Sequence, residues 1–135
     1  MLDPVKIVAG RVVIRVAGLA AVLAVSYGIA AVLPAGIEAA IGYVTVVIIV
    51  IGAFVWGLRD GREVHLSDAI RDWLVVAFVV AVLWRVSLVL FEGSEDVIAQ
   101  LRREFVPLLS TMGLIFAAAL FGALQGHGSR PMPTA

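Results

Sequence analysis

Ala39–Leu58 reads AAIGYVTVVIIVIGAFVWGL, twenty consecutive residues without a charge. A helix needs about 20 mainly apolar residues to cross a hydrocarbon core of about 30 Å. In lipid every backbone polar group must find its partner inside the segment, which favours a helix. A barrel strand would alternate over about 10 residues, and this run does not alternate. The reading of this one stretch therefore decides between a soluble and a membrane fold.

Three neighbouring stretches repeat the pattern. Val16–Leu33 (VAGLAAVLAVSYGIAAVL) and Phe105–Leu124 (FVPLLSTMGLIFAAALFGAL) are uncharged, and Trp73–Phe91 (WLVVAFVVAVLWRVSLVLF) carries Arg85 alone. The first follows a basic start, Lys6, Arg11 and Arg15, as a signal peptide would. It is longer than an h-region and three more spans follow, so we read it as a retained helix. The predicted fold class is all-α, an integral-membrane bundle of four transmembrane helices. The spans are placed at about 12–33, 37–58, 70–91 and 105–124, with 125–135 as a disordered, Gly/Pro-rich cytoplasmic tail.

Composition agrees. Of 135 residues, 62% are hydrophobic and 15% charged, against roughly 25% charged in an average soluble domain. Mean hydropathy is +1.09. Ten basic and ten acidic residues cancel, which leaves no excess positive charge to bind nucleic acid by counterion release. The chain has no cysteine, so disulfide frameworks, thiolate zinc sites and thiol chemistry are excluded. His65 and His127 fall in a link and in the tail. No metal-ligand set, cofactor motif or nucleophile–base arrangement is visible, and an enzyme is not expected.

The links are short. Pro34 and Gly36 break the chain between the first two spans. Asp60-Gly61 reads as a turn after the second span, and Ser67 followed by Asp68 as the N-cap of the third. Ser94, Glu95 and Asp96 mark another helix start. Val97, Ile98, Leu101 and Phe105 then share a face, which predicts a short interfacial helix. Pro107 predicts a bend on entry to the fourth span. Lys6, Arg11, Arg15, Arg59, Arg62, Arg71 and Arg130 fall on one side, and only Arg102 and Arg103 on the other. By the positive-inside rule both termini are then cytoplasmic.

The candidate site residues are polar groups at membrane depth. Arg85 lies about 9 Å inside the third span, where an ionisable residue is a functional candidate; the alternative is snorkelling to the headgroups. Glu38 opens the second span at the same level and is its natural partner, unless it only favours the positive helix end. Ser26, Tyr27, Tyr43, Ser110 and Thr111 sit near that level. Either they converge on an outward-opening polar cavity, or they bond their own helices and line the interface. At the inner end Arg11 and Arg15 form a basic face one turn apart. Arg15 then pairs with Asp60, Asp68 or Asp72, or meets phospholipid. Ala20, Ala24 and Gly28, and Ala118, Gly122 and Gly126, form small-residue faces for bundle packing or for a homodimer seam.

The nine-residue stretch Phe54-Val55-Trp56-Gly57-Leu58-Arg59-Asp60-Gly61-Arg62, with Asp72-Trp73-Leu74 beyond it, resembles a small actinobacterial membrane family of four-helix transporters related to the drug/metabolite transporter group. Length, hydropathy and span count extend the likeness over nearly the whole chain, less specifically. The resemblance implies four helices, a bacterial plasma (inner) membrane location and small-solute transport. It marks Trp56, Asp60 and Arg62, either as functional positions or as an interfacial anchor and a fixed turn. The small multidrug exporters of the wider group carry a carboxylate in their first helix, and this chain has none there. Four helices enclose little volume, so transport points to a homodimer. The alternative is a non-transporting scaffold or small subunit of a larger membrane complex.

Overall fold

The computed structural model describes residues 3–93 and 95–131, apart from the side chains of Glu38, Phe91 and Glu92. Its elements are α1 (Pro4–Val32), α2 (Glu38–Glu63), α3 (Leu66–Glu92), α4 (Val97–Arg103) and α5 (Phe105–Gly128). α1, α2, α3 and α5 are long and apolar enough to cross a membrane. The protein is therefore a multi-pass, all-α membrane bundle, with the short α4 between the third and fourth spans.

Each long helix runs past the hydrophobic stretch that announces it. α1 begins at Pro4, not near residue 12, because Asp3 caps it. Its carboxylate accepts from the Val5 N–H, and Pro4 occupies the first turn, where its missing N–H costs nothing. α2 does not stop at Leu58. Asp60 and Gly61 are helical, and the expected turn moves to Val64 and His65. α3 begins at Leu66 with His65 as its N-cap residue, in place of Ser67. α5 continues through Gln125 to Gly128, four residues into the expected tail. Ser129 and Arg130 are docked on other parts of the bundle, and residues 132–135 lie outside the described ones.

The short connections follow the sequence more closely. Gly36 at φ +106° makes the reversal between α1 and α2, a conformation that suits glycine. Ser94 lies outside the described residues. Asp96 caps α4 by accepting from the Ala99 N–H. The chain breaks at Glu104 before α5, so Pro107 falls in the first turn of the new helix.

In cross-section the helices run α1, α2, α5, α3 around the bundle. α2 packs most extensively on α5, α3 bridges α5 and α1, and the α1 and α5 backbones lie across the bundle from each other. The parallel pair α2/α5 meets through glycines in register. A Cβ on Gly57 would lie 2.8 Å from the carbonyl carbon of Ala119, and one on Gly61 2.7 Å from that of Ala123. Gly122 and Gly126 in turn face the backbone at Phe54 and Leu58. Apolar burial gains little inside a lipid phase, so close backbone approach and dispersion must hold such a pair. The α5 stripe thus packs within the bundle. The α1 stripe does not: Ala24 and Gly28 are exposed, with no other helix against Gly28.

The interior is filled with Leu19, Leu23, Ile49, Ala53, Trp73, Val76, Ala77, Val80, Ile115 and Ala119. The exterior carries many exposed Val, Ile, Leu and Phe side chains. For a water-soluble bundle that surface would be a liability. Lipid is its natural solvent.

Candidate functional site

At the end of the bundle that holds the N-terminus, charged side chains from three helices meet below the surface. Arg11 and Arg15 are four residues apart and so share a face of α1. Arg15 grips both carboxylate oxygens of Asp60 on α2. Its Nε lies 2.8 Å from Oδ2, and its Nη2 contacts Oδ1. The Trp73 indole of α3 donates to the same Oδ2 at 2.8 Å. Arg15 also donates through Nη1 to the Arg11 carbonyl at 3.1 Å. Arg11 in turn donates through Nη2 to Asp72 Oδ2 at 3.1 Å. Only 8% of Arg15, 3% of Asp60, 4% of Asp72 and 1% of Trp73 is exposed.

Of the three acids open to Arg15 in the sequence, Asp60 is therefore its partner, and Asp72 takes Arg11. Burying either charge alone would be costly, and mutual pairing plus the indole bond offset that cost. The marked stretch is a packing and ion-pairing element in the structure. Trp56 lies over Gly18 of α1 and packs on the core. Asp60 joins three helices instead of fixing a turn. Arg62 donates to Ser129 at 3.2 Å. Beside it, Arg130 donates to the carbonyls of Gly61 (3.0 Å) and Val64. The end of α5 is thereby fastened to the α2–α3 link, an attachment that sequence reading missed. Arg130 just past a helix end was the only available hint.

Of the polar groups expected toward the other end, the structure brings Arg85 and Thr111 together. Arg85 donates to Glu104 at 3.2 Å and to Thr111 at 2.7 Å. It thus ties α3 to α5 and to the α4–α5 break, and it lines a crevice of about 130 Å³ there with Phe105. The Glu38 side chain lies outside the described ones, so the expected Glu38–Arg85 pair does too. Tyr43 is 75% exposed on the bundle exterior. Ser110 is exposed and donates to the Val106 carbonyl of its own helix. Tyr27 packs against the core. Thr45 donates to Ser26 at 2.8 Å and so links α2 to α1. Tyr43 and Ser110 are exposed on the bundle surface, whereas Arg85 is engaged by Glu104 and Thr111.

Among the described residues, open grooves lie on two sides of α1. One, of about 570 Å³, lies between α1 and α2, with Val25, Ile29, Val44 and Ile48 on its walls and Ser26 and Thr45 as its hydroxyls. The other, of about 600 Å³, lies between α1 and α3 near the ion-pair cluster. Both fall in the volume range of small-molecule sites. Among the described residues no three His, Asp or Glu side chains cluster to hold a metal. The charged side chains described at the cluster are mutually neutralised, so it acts as a clamp. The α1/α2 groove is lined almost entirely by apolar side chains. Comparison of the chain with protein-family models, with curated proteins and with solved structures gives no match.

Proposed function

We propose that this protein is a small-solute transporter of the four-helix drug/metabolite transporter-like type. It works as a homodimer in a bacterial plasma membrane, with both termini in the cytoplasm. The observation that carries this reading is the α1/α2 groove. The interior of one protomer is filled by side chains, so a solute path must run along a helix face and be closed by a second copy. The groove has that position. It opens sideways toward the bilayer, and its walls suit a mainly apolar solute held at one point by the Ser26–Thr45 pair. The resemblance of Phe54–Arg62 to the transporter family supports the same reading. The lean of Lys and Arg toward the N-terminal end supports the orientation.

The test is flux. Purified protein in vesicles should move a neutral lipophilic dye or a lipophilic cationic dye faster than empty vesicles do. Ala21→Trp and Val44→Trp, which fill the groove from either wall, should abolish the difference. Flux equal to that of empty vesicles for both dyes rejects transport of this class.

A second reading is favoured by one observation. The buried charges described at the N-terminal end neutralise one another within the protomer, so none there is left to couple ion movement to cargo. On that reading the chain is a non-transporting scaffold or small subunit of a membrane complex. Co-purification with one fixed partner, together with absent flux, selects it.

A further inference from the structure

The groove between α1 and α3 has a different character from the α1/α2 groove. Its floor is apolar, with Val8 and Val12 from α1 and Val75 from α3. Its mouth is charged, with Asp68, Arg71 and Asp72 of the first turns of α3. From Asp68 to Val75 it runs about 10 Å along the helix axis. One end lies where the spans begin and the other inside the apolar zone, and Val5 and Val75 are exposed along its length. A molecule that fills it needs a charged head and an apolar tail beside it.

The state of the mouth residues identifies the head. Asp72 is occupied by Arg11 and almost wholly buried. Arg71 and Asp68 are different, with side chains 58% and 41% exposed. A single nitrogen of Arg71, Nη2, reaches both acids, at 3.4 Å in each case. Contacts that long and that exposed contribute little. The remaining guanidinium donors suit a phosphate. The second carboxylate oxygen of Asp68 can accept from a primary ammonium.

We propose that the α1/α3 groove is a binding site for one phospholipid with a zwitterionic ethanolamine headgroup. The phosphate rests on Arg71, the ammonium on Asp68, and one acyl chain lies over Val8, Val12 and Val75. With Arg11 and Asp72 cancelling each other, the mouth presents one positive and one negative group, the same pair in reverse. An anionic glycerol headgroup leaves Asp68 facing negative charge. A choline headgroup has no N–H to give it. This site is independent of any transport activity.

The experiment is native mass spectrometry of the full chain released from vesicles of equal parts phosphatidylethanolamine, phosphatidylglycerol and phosphatidylcholine. The ethanolamine lipid should be retained about fivefold or more over the other two, the factor expected of one charge-assisted contact. Asp68→Asn should remove the enrichment over both competitors, and Arg71→Gln should reduce retention of all three lipids, because each carries the phosphate. Ala9→Trp, which fills the groove wall, should reduce bound lipid of every kind. Circular dichroism identifies any variant that fails to fold. Equal retention of the three lipids by the natural chain overturns the proposal. So does preferential retention of phosphatidylglycerol, or enrichment that survives Asp68→Asn.

Discussion

Arg15 and Asp60 stand 45 positions apart in the chain and meet through both carboxylate oxygens, with side chains only 9% and 5% exposed. Such a pair is a weak source of net stability, but removing one partner strands the other as a buried charge. The pair ties α1 to α2, and the Trp73 indole adds α3 to the same point.

Asp60→Asn should destabilise the protein by about 3–5 kcal/mol, because it leaves the Arg15 charge buried without a counter-charge. The double variant Arg15→Met/Asp60→Leu should recover most of that loss. Unfolding in a dodecyl sulfate titration, followed by tryptophan fluorescence, measures both. A double variant no more stable than the single one would contradict the pairing.

Trp73→Phe keeps the ring in the core and removes the donor to Asp60. The expected loss is about 1 kcal/mol, as for an ordinary hydrogen bond. In the Asp60→Asn background the same substitution should cost less, and the difference between the two is the coupling energy.

Gly57→Val and Gly122→Val should each destabilise by at least about 1–3 kcal/mol, because the new side chain meets the backbone of the facing helix. Gly28→Val, on the open face of α1, should stay within about 0.5 kcal/mol. The same titration compares them. Equal effects at Gly57 and Gly28 would mean that α2 and α5 do not touch as described.

Arg85→Gln should release α4 and the α4–α5 break without unfolding the bundle. Hydrogen exchange at the amides of Val97–Arg103 should quicken by up to about fivefold, in proportion to the loss of a partly exposed ion pair. Unchanged exchange would show that the pair with Glu104 does not hold α4 in place.

Orientation has a direct test, since the natural chain has no cysteine. With both termini cytoplasmic, Gly36→Cys should react with an impermeant maleimide added to whole cells, and His65→Cys only after lysis. The opposite pattern reverses the topology.

The number of spans and the all-α class were legible because each apolar run is near the length a bilayer demands. The short helix α4 was legible because Val97, Ile98 and Leu101 share a face after an acidic cap. Helix ends were read too conservatively. Asp3-Pro4 is a start signal that hydropathy overlooks, and Asp60-Gly61, a turn signal in water, is held helical by Ala123 and Arg15.

What the sequence by itself determined is that four helices cross lipid, joined by short links, with charge gathered at their ends. Which faces turn inward was decided only by the tertiary structure. In lipid both the inner and the outer face of a helix are apolar, so no hydrophobic stripe marks the core. Steric fit at Gly57, Gly61, Gly122 and Gly126 selects the α2/α5 contact. Reach and burial select Asp60 for Arg15, and Glu104 with Thr111 for Arg85, from acids and hydroxyls that spacing alone leaves equivalent.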